Sequence, residues 1–192
     1  MVFVDGENLT LRGQDVMKAR GLQFTMPEVY ERDVFCWLPT KDRADRALFG
    51  RFIHMGDKDR EPIRAYYYTT CPGDQVQQDS VKERLFALGF HAEVFHKPKG
   101  GKAKAVDITL ARDMLVHAFR DNYDTAFLIA GDRDYQPLVE EVKRVGKNVF
   151  VCFFESTGLS KELRLSSDRF WPLEEYFGNQ WSQHQPAPLP PG

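Results

Sequence analysis

Val2-Phe3-Val4-Asp5-Gly6-Glu7-Asn8 decides the fold of this chain, because an unbroken apolar run ends abruptly there in a carboxylate, a glycine and an amide. A strand that is apolar at successive positions is covered on both faces, as in the centre of a parallel sheet. Its last residue then carries a carboxylate to the rim of that sheet. The arrangement recurs at Ala126-Phe127-Leu128-Ile129-Ala130-Gly131-Asp132-Arg133-Asp134, and between the two lies Val106-Asp107-Ile108, where an acid opens an apolar helix. Three separated acidic corners predict one site for a divalent cation.

Working outward, the rhythm of strands and helices sets the fold class. Val2 to Val4 is the predicted first strand. The segment Leu9 to Arg60 is charged and irregular, broken by Pro27, Pro39 and Gly50. Within it the pattern suggests a helix at Pro27 to Arg32, a strand at Val34 to Leu38 and an amphipathic helix at Asp42 to His54. Ile63 to Thr70 contains the aromatic, β-branched run Tyr66-Tyr67-Tyr68-Thr69-Thr70 and reads as a strand closed by Pro72-Gly73. A helix at Asp79 to Leu88 stops at Gly89, and Phe90 to Phe95 is the next strand. A lysine-glycine loop from Lys97 to Lys104 leads into a helix at Val106 to Phe119, where Val106, Leu110, Met114 and Ala118 keep helical spacing. A strand at Thr125 to Ala130, a helix at Tyr135 to Val145 stopped by Gly146, and a strand at Asn148 to Phe153 continue the alternation. Phe170-Trp171-Pro172-Leu173 is expected to pack as a final strand or cap. We found no internal repeat.

Alternating elements of this size imply an α/β domain with a parallel sheet and right-handed crossovers. At 192 residues one such domain is expected, spanning residues 1–177, followed by a Pro/Gln-rich tail at 178–192 that reads as disordered. Ligands in such sheets bind beyond the carboxyl ends of the strands. Asp5 and Asp132 follow strands and Asp107 heads a helix, so all three should reach one rim.

Composition removes other classes. Hydrophobic residues make up 42% and charged residues 28%, which is the balance of a folded water-exposed domain rather than a disordered chain. No run approaches the roughly 18 apolar residues of a membrane span. With the first strand at residue 2 there is no room for a signal peptide, and the cytoplasm is the expected location. A formal charge of −2 gives no global attraction to polyanions, so any nucleic-acid contact must come from local basic patches. Cys36, Cys71 and Cys152 are too widely spaced for a zinc knuckle, and the five histidines lack the i, i+4 spacing of a zinc protease.

Oxygen ligands suit Mg²⁺ or Mn²⁺, which commonly use one or two carboxylates with waters and substrate phosphate. Such an ion polarises phosphoryl oxygens and generates hydroxide, so phosphodiester hydrolysis is the natural reaction. Each acid also has a structural reading. Asp134 could cap the helix that follows it, Asp107 could sit at a helix head because the dipole favours it there, and Asn8 could cap the segment after it. Asp113 lies about 600° around the helix from Asp107, some 120° off its face, and should not join it at one ion. Glu7 is expected to face solvent. The cations of the Lys97 to Lys104 loop could grip a phosphate backbone, Lys104 first among them, and the tyrosines at 66–68 are expected in the core.

Val-Asp-Gly-Glu-Asn at 4–8, Lys-Ala-Val-Asp-Ile at 104–108 with Asp113 downstream, and Ala-Gly-Asp-Arg-Asp-Tyr-Gln-Pro-Leu at 130–138 together resemble the NYN domain family of PIN-like nucleases. The resemblance implies a PIN-like three-layer sandwich with a central, mainly parallel sheet flanked by helices. It implies a metal-dependent ribonuclease acting on RNA, with single strands the expected partner. It further implies Mg²⁺ or Mn²⁺ held by Asp5, Asp107, Asp132 and Asp134, with Asn8 as supporting polar residue beside the catalytic Asp5, Asp107 and Asp132. Lys102, Lys104 and Arg133 are the expected substrate contacts. The chain departs from the family pattern at Ala130 and Arg133, where serines are common, and at Tyr135, where phenylalanine is usual. Arg133 could pair with a neighbouring acid or hold phosphate. The alternative reading is a non-catalytic RNA-binding or regulatory module, and the long Leu9 to Arg60 segment could carry substrate selection or a homodimer contact.

Overall fold

The computed structural model describes residues 1–22, 27–37, 64–97 and 104–174. The expected helix at Asp42 to His54, the lysines at 99 and 102 and the tail at 178–192 lie outside the described residues.

Among the described residues six parallel strands form one sheet. In chain order they are β1 (Val2–Asp5), β4 (Ala65–Cys71), β5 (His91–His96), β6 (Thr125–Ile129), β7 (Asn148–Phe153) and β8 (Arg169–Pro172), arranged as β5-β4-β1-β6-β7-β8. A separate antiparallel pair joins β2 (Tyr30–Glu31) to β3 (Phe35–Cys36). β1 is central as its sequence demands, with Val2 opposite Ala65 on one side and Phe127 on the other. Pro172, which cannot donate to a ladder, closes edge strand β8.

The helices are α1 (Gly6–Ala19), α2 (Gln75–Ala87), α3 (Lys104–Phe119), α4 (Gln136–Arg144) and α5 (Lys161–Ser166). From β1 the chain steps through β4 to β5 with α1 and α2 on one face. It then crosses the sheet to β6 and steps outward through β7 to β8 with α3, α4 and α5 on the other. Right-handed crossovers require that change of face when the direction of stepping reverses. Two cores result. Val2, Val4, Leu9, Val16, Met17, Tyr67, Val81 and Leu85 pack on the first face, and Phe3, Tyr68, Leu110, Met114, Leu128, Val139 and Leu163 on the second. The alternation of Val2, Phe3 and Val4 between the cores is the period of a pleated strand.

Several expectations hold closely. β7 has the expected bounds, the α3 face of Val106, Leu110, Met114 and Ala118 is buried, and Gly89 and Gly146 end helices in the left-handed conformation.

Others need correction. Residues 27–32 are not a helix: a turn at 27–29 precedes β2, since so short a segment gains more from pairing with β3 than from one isolated helical turn. The segment after Leu9 is not irregular, because α1 runs to Ala19 with Leu9, Gly13, Val16 and Met17 along its buried face. Charges at Glu7, Arg12, Asp15 and Lys18 occupy the other positions and hide that stripe. α2 begins four residues before the expected start, where Asp74 and Gln77 form a reciprocal capping box. The short α5, capped by Ser160, was not anticipated.

Candidate active site

β1 and β6 are the neighbours from which the chain steps away in opposite directions. The crevice beyond their carboxyl ends is the switch point of the sheet. Asp5 ends β1 inside this crevice and is only 3% exposed. It is also the N-cap of α1, its Oδ1 accepting from the Asn8 backbone N–H at 3.0 Å. Asn8 itself is therefore not the cap. Its side-chain Oδ1 accepts from the Gly131 N–H at 3.1 Å, tying the loop after β6 to α1. Gly131 is required there, because a Cβ would be driven into the Phe153 ring and the Gly158 carbonyl.

Asp107 stands in the first turn of α3, and Asp132 and Asp134 flank Arg133 on the 3₁₀ turn Arg133–Tyr135. The acid that caps this turn is Asp132, accepting from the Asp134 N–H at 3.3 Å, rather than Asp134 capping the following helix. The element that unites the corner is Tyr135. Its hydroxyl lies 3.0 Å from Asp5 Oδ2 and 3.0 Å from Asp107 Oδ1, joining carboxylates 102 positions apart in the chain. A phenol carries one hydrogen, so it donates to one carboxylate, while the other contact needs a proton on the carboxyl itself. Asp5 is the group that carries it near neutrality. Burial pushes its pKa up from 3.8 to about 7, against the Asn8 N–H, with the Asp107 charge adding to the rise. Asp107 is raised too, chiefly by burial, with Tyr135 opposing and the charges of Asp132, Glu7 and Asp134 contributing. Burial and the two acids hold the Tyr135 hydroxyl protonated.

Glu7 does not face open solvent as expected. It is half-buried, its charge is felt by Asp5 and Asp107, and its Oε1 pairs with Lys97 Nζ at 2.6 Å. Lys97 directly follows β5, so it reaches the same rim as the acids. Arg133 pairs with neither neighbouring acid: its Nη1 lies 3.9 Å from Glu162 Oε1, with the side chain 69% exposed. Lys104 is the first residue of α3, and Lys102 lies outside the described residues. Asp113 stays away from the corner, accepting from the Tyr68 hydroxyl at 3.0 Å and pairing with Arg112. Tyr67 and Tyr68 are fully buried, as expected of core, whereas Tyr66 is only partly buried, its hydroxyl 3.1 Å from His117 Nε2.

These motifs lie within one match. The model of the NYN domain covers residues 1–174. The chain belongs to the NYN domain family. NYN domains are nuclease-like members of the PIN-like group. A solved relative of this NYN chain is a protein of unknown function from Vibrio parahaemolyticus, 21% identical over 90% of each chain with a TM-score of 0.57. At that identity the likeness shows the fold. None of the curated proteins matches the chain significantly.

The donors at the corner are all oxygens, the chemistry that hard divalent cations prefer. Among the described residues no three His, Cys, Asp or Glu already stand as a ligand set. Asp5 and Asp107 converge instead on the Tyr135 hydroxyl, each 3.0 Å from it.

Sequence reasoning overlooked two participants. Tyr135 registers only as a departure from the family pattern, although a tyrosine beside an acidic turn needs a partner for its hydroxyl if it is buried. Lys97 is further than Lys104 from Asp107 in the chain, yet its place at a strand's carboxyl end marks it for the rim in the same way as Asp5.

Proposed function

We propose that this NYN protein is a metal-dependent ribonuclease that hydrolyses RNA phosphodiester bonds, with Mg²⁺ or Mn²⁺ as cofactor. The observation that carries the reading is the meeting of Asp5 and Asp107 at one hydroxyl in the switch-point crevice, beside Asp132 and Asp134. Asp5, Asp107 and Asp132, with Asp134, would hold the ion. When bound, such a cation polarises a phosphoryl oxygen and supplies hydroxide from a coordinated water. The chain's own residues do the rest. Asn8 holds Gly131 and so fixes the Asp132 turn against α1. The Lys97 ammonium offsets the charge of Glu7 at the mouth and attracts phosphate. Arg133 is free to swing from its long contact with Glu162 toward a nucleic-acid backbone, with Lys102 and Lys104, the latter at the head of α3, as further candidates. Single-stranded RNA fits best, since an extended phosphate chain can enter a crevice beyond the carboxyl ends of β1 and β6.

The test is incubation of the full chain with labelled single-stranded RNA and Mn²⁺, with and without chelator. Cleavage abolished by chelator is expected, with a loss of at least about a hundredfold in Asp132→Asn at unchanged circular dichroism. Absence of chelator-sensitive cleavage across varied RNAs overturns the reading.

One observation favours a second reading, an RNA-binding module without turnover: Tyr135 engages the two central acids directly, and no ligand set stands ready among the described residues. That reading requires RNA binding that is indifferent to chelator and survives Asp132→Asn.

A further inference from the structure

Tyr135 stands where two demands on the same oxygens conflict. Asp5 has one oxygen, Oδ1, committed to the Asn8 N–H at the start of α1. Its other oxygen, Oδ2, lies 3.0 Å from the Tyr135 hydroxyl, and burial leaves the carboxyl little freedom to offer a different lone pair. Asp107 turns Oδ1 toward the same hydroxyl, at the same 3.0 Å. An ion held jointly by these two acids must approach the oxygens that the phenol now engages. A neutral phenol oxygen is a poor substitute for a carboxylate as a ligand, so it contributes little to the ion in return. The tyrosine cannot simply withdraw, because its ring is packed in the second core beside Leu138 and Val139 and is 3% exposed.

We propose that Tyr135 is a latch on the acidic corner: its hydroxyl holds Asp5 and Asp107 together in the metal-free protein, and a divalent cation must displace it from both. The proposal rests on the metal-dependent reading above and deepens it, by making Tyr135 a positioning residue that sets how much free metal is needed to load the site. The hydroxyl bridges the two acids by hydrogen bonds when no cation is present. Removing it therefore weakens the metal-free state and leaves the loaded state nearly untouched, so metal affinity rises.

The experiment uses the full chain and Mn²⁺ alone, titrated calorimetrically and by the electron paramagnetic resonance signal of free Mn²⁺. Wild type, Tyr135→Phe, Asp107→Asn and the double variant are compared. Phenylalanine keeps the packed ring, so the fold is retained, and a thermal melt in chelator checks this. Tyr135→Phe is expected to bind Mn²⁺ on the order of tenfold more tightly, the scale of one hydrogen bond to a charged group. In the Asp107→Asn background the same change should give a smaller gain, because only the Asp5 contact is then released, whereas a general loosening of the crevice predicts an equal one. Near-UV tyrosine absorbance should shift on Mn²⁺ addition in wild type and lose that component in Tyr135→Phe. Equal or weaker binding by Tyr135→Phe overturns the latch while leaving the metal site intact. Absence of Mn²⁺ binding by every variant overturns the latch together with the metal-dependent reading. Binding by Tyr135→Phe but not by wild type supports the latch in its strongest form.

Discussion

At Asp5 burial and charge oppose each other. Its carboxyl binds a proton more readily in the folded protein than in the unfolded chain, over the range from 3.8 to about 7. The folded state therefore carries more protons than the unfolded state in that window, and its stability falls as pH rises through it. Below about 4 the group contributes no penalty, and above about 7 the penalty is complete. Asn at this position keeps an acceptor for the Asn8 N–H without a charge. Asp5→Asn is thus expected to stabilise the metal-free protein at pH 8 by on the order of 2 kcal/mol, with the gain shrinking toward zero at pH 4. Denaturant melts in chelator at the two pH values check this, and a gain independent of pH would contradict it. The same substitution removes a ligand charge and should cost metal binding. A residue that weakens the empty fold in exchange for holding a cation is the pattern expected of a functional carboxylate.

At the scale of elements, the corner depends on how closely the turns after β1 and β6 approach their neighbours. Gly131 lets the Asp132 turn lie against the Phe153 ring and the loop at Gly158. Gly131→Ala is expected to destabilise the protein by roughly 1–3 kcal/mol, the cost of overpacking a filled space. It should also shift the acidic turn, so that activity falls further than stability alone explains. Urea unfolding measured beside cleavage rate separates the two effects. On the opposite lip, the carboxyl end of β5 carries Lys97 against Glu7. Lys97→Ala should weaken RNA binding several-fold and reduce the steepness of its dependence on log salt by roughly 0.7, the share of one phosphate contact on a single strand. Fluorescence anisotropy at several salt concentrations reads both, and an unchanged slope would remove Lys97 from the interface.

For the whole molecule, the sheet order brings three parts of the chain to one rim, and loading that rim should reinforce the entire domain. Mn²⁺ at a hundred times its dissociation constant is expected to stabilise the fold by roughly 2.7 kcal/mol. The gain should be seen as a rise in melting temperature that chelator reverses and that Asp107→Asn lacks. The net charge of −2 bears on substrate rather than on metal. With no overall basic field, the proposed RNA substrate would be gathered by a few cations beside the acids, and its affinity should be modest and local in origin. Among the described residues no helix is long and apolar enough to cross a membrane.

Much of this arrangement is legible in the chain itself. The apolar runs at Val2 to Val4 and at Ala126 to Ile129 fix two central strands, because only strands covered on both faces tolerate such sequences. The acids that follow them are then bound for the rim by the geometry of a parallel sheet. The stripe of Val106, Leu110, Met114 and Ala118 likewise fixes which side of α3 is buried, and so turns Asp107 outward. α1 was obscured because its charges interrupt the stripe, and β2 because two-residue strands carry almost no periodic signal. The sequence by itself determined the inner strands of the six-stranded sheet, the order of the acids and their common rim. Only the tertiary structure decided that Tyr135 spans Asp5 and Asp107, that Asn8 secures Gly131 and that Glu7 turns inward to Lys97. Those contacts join residues 28 to 130 positions apart. Local propensity carries no information about such pairs, since the packing of separate elements sets the distance between them.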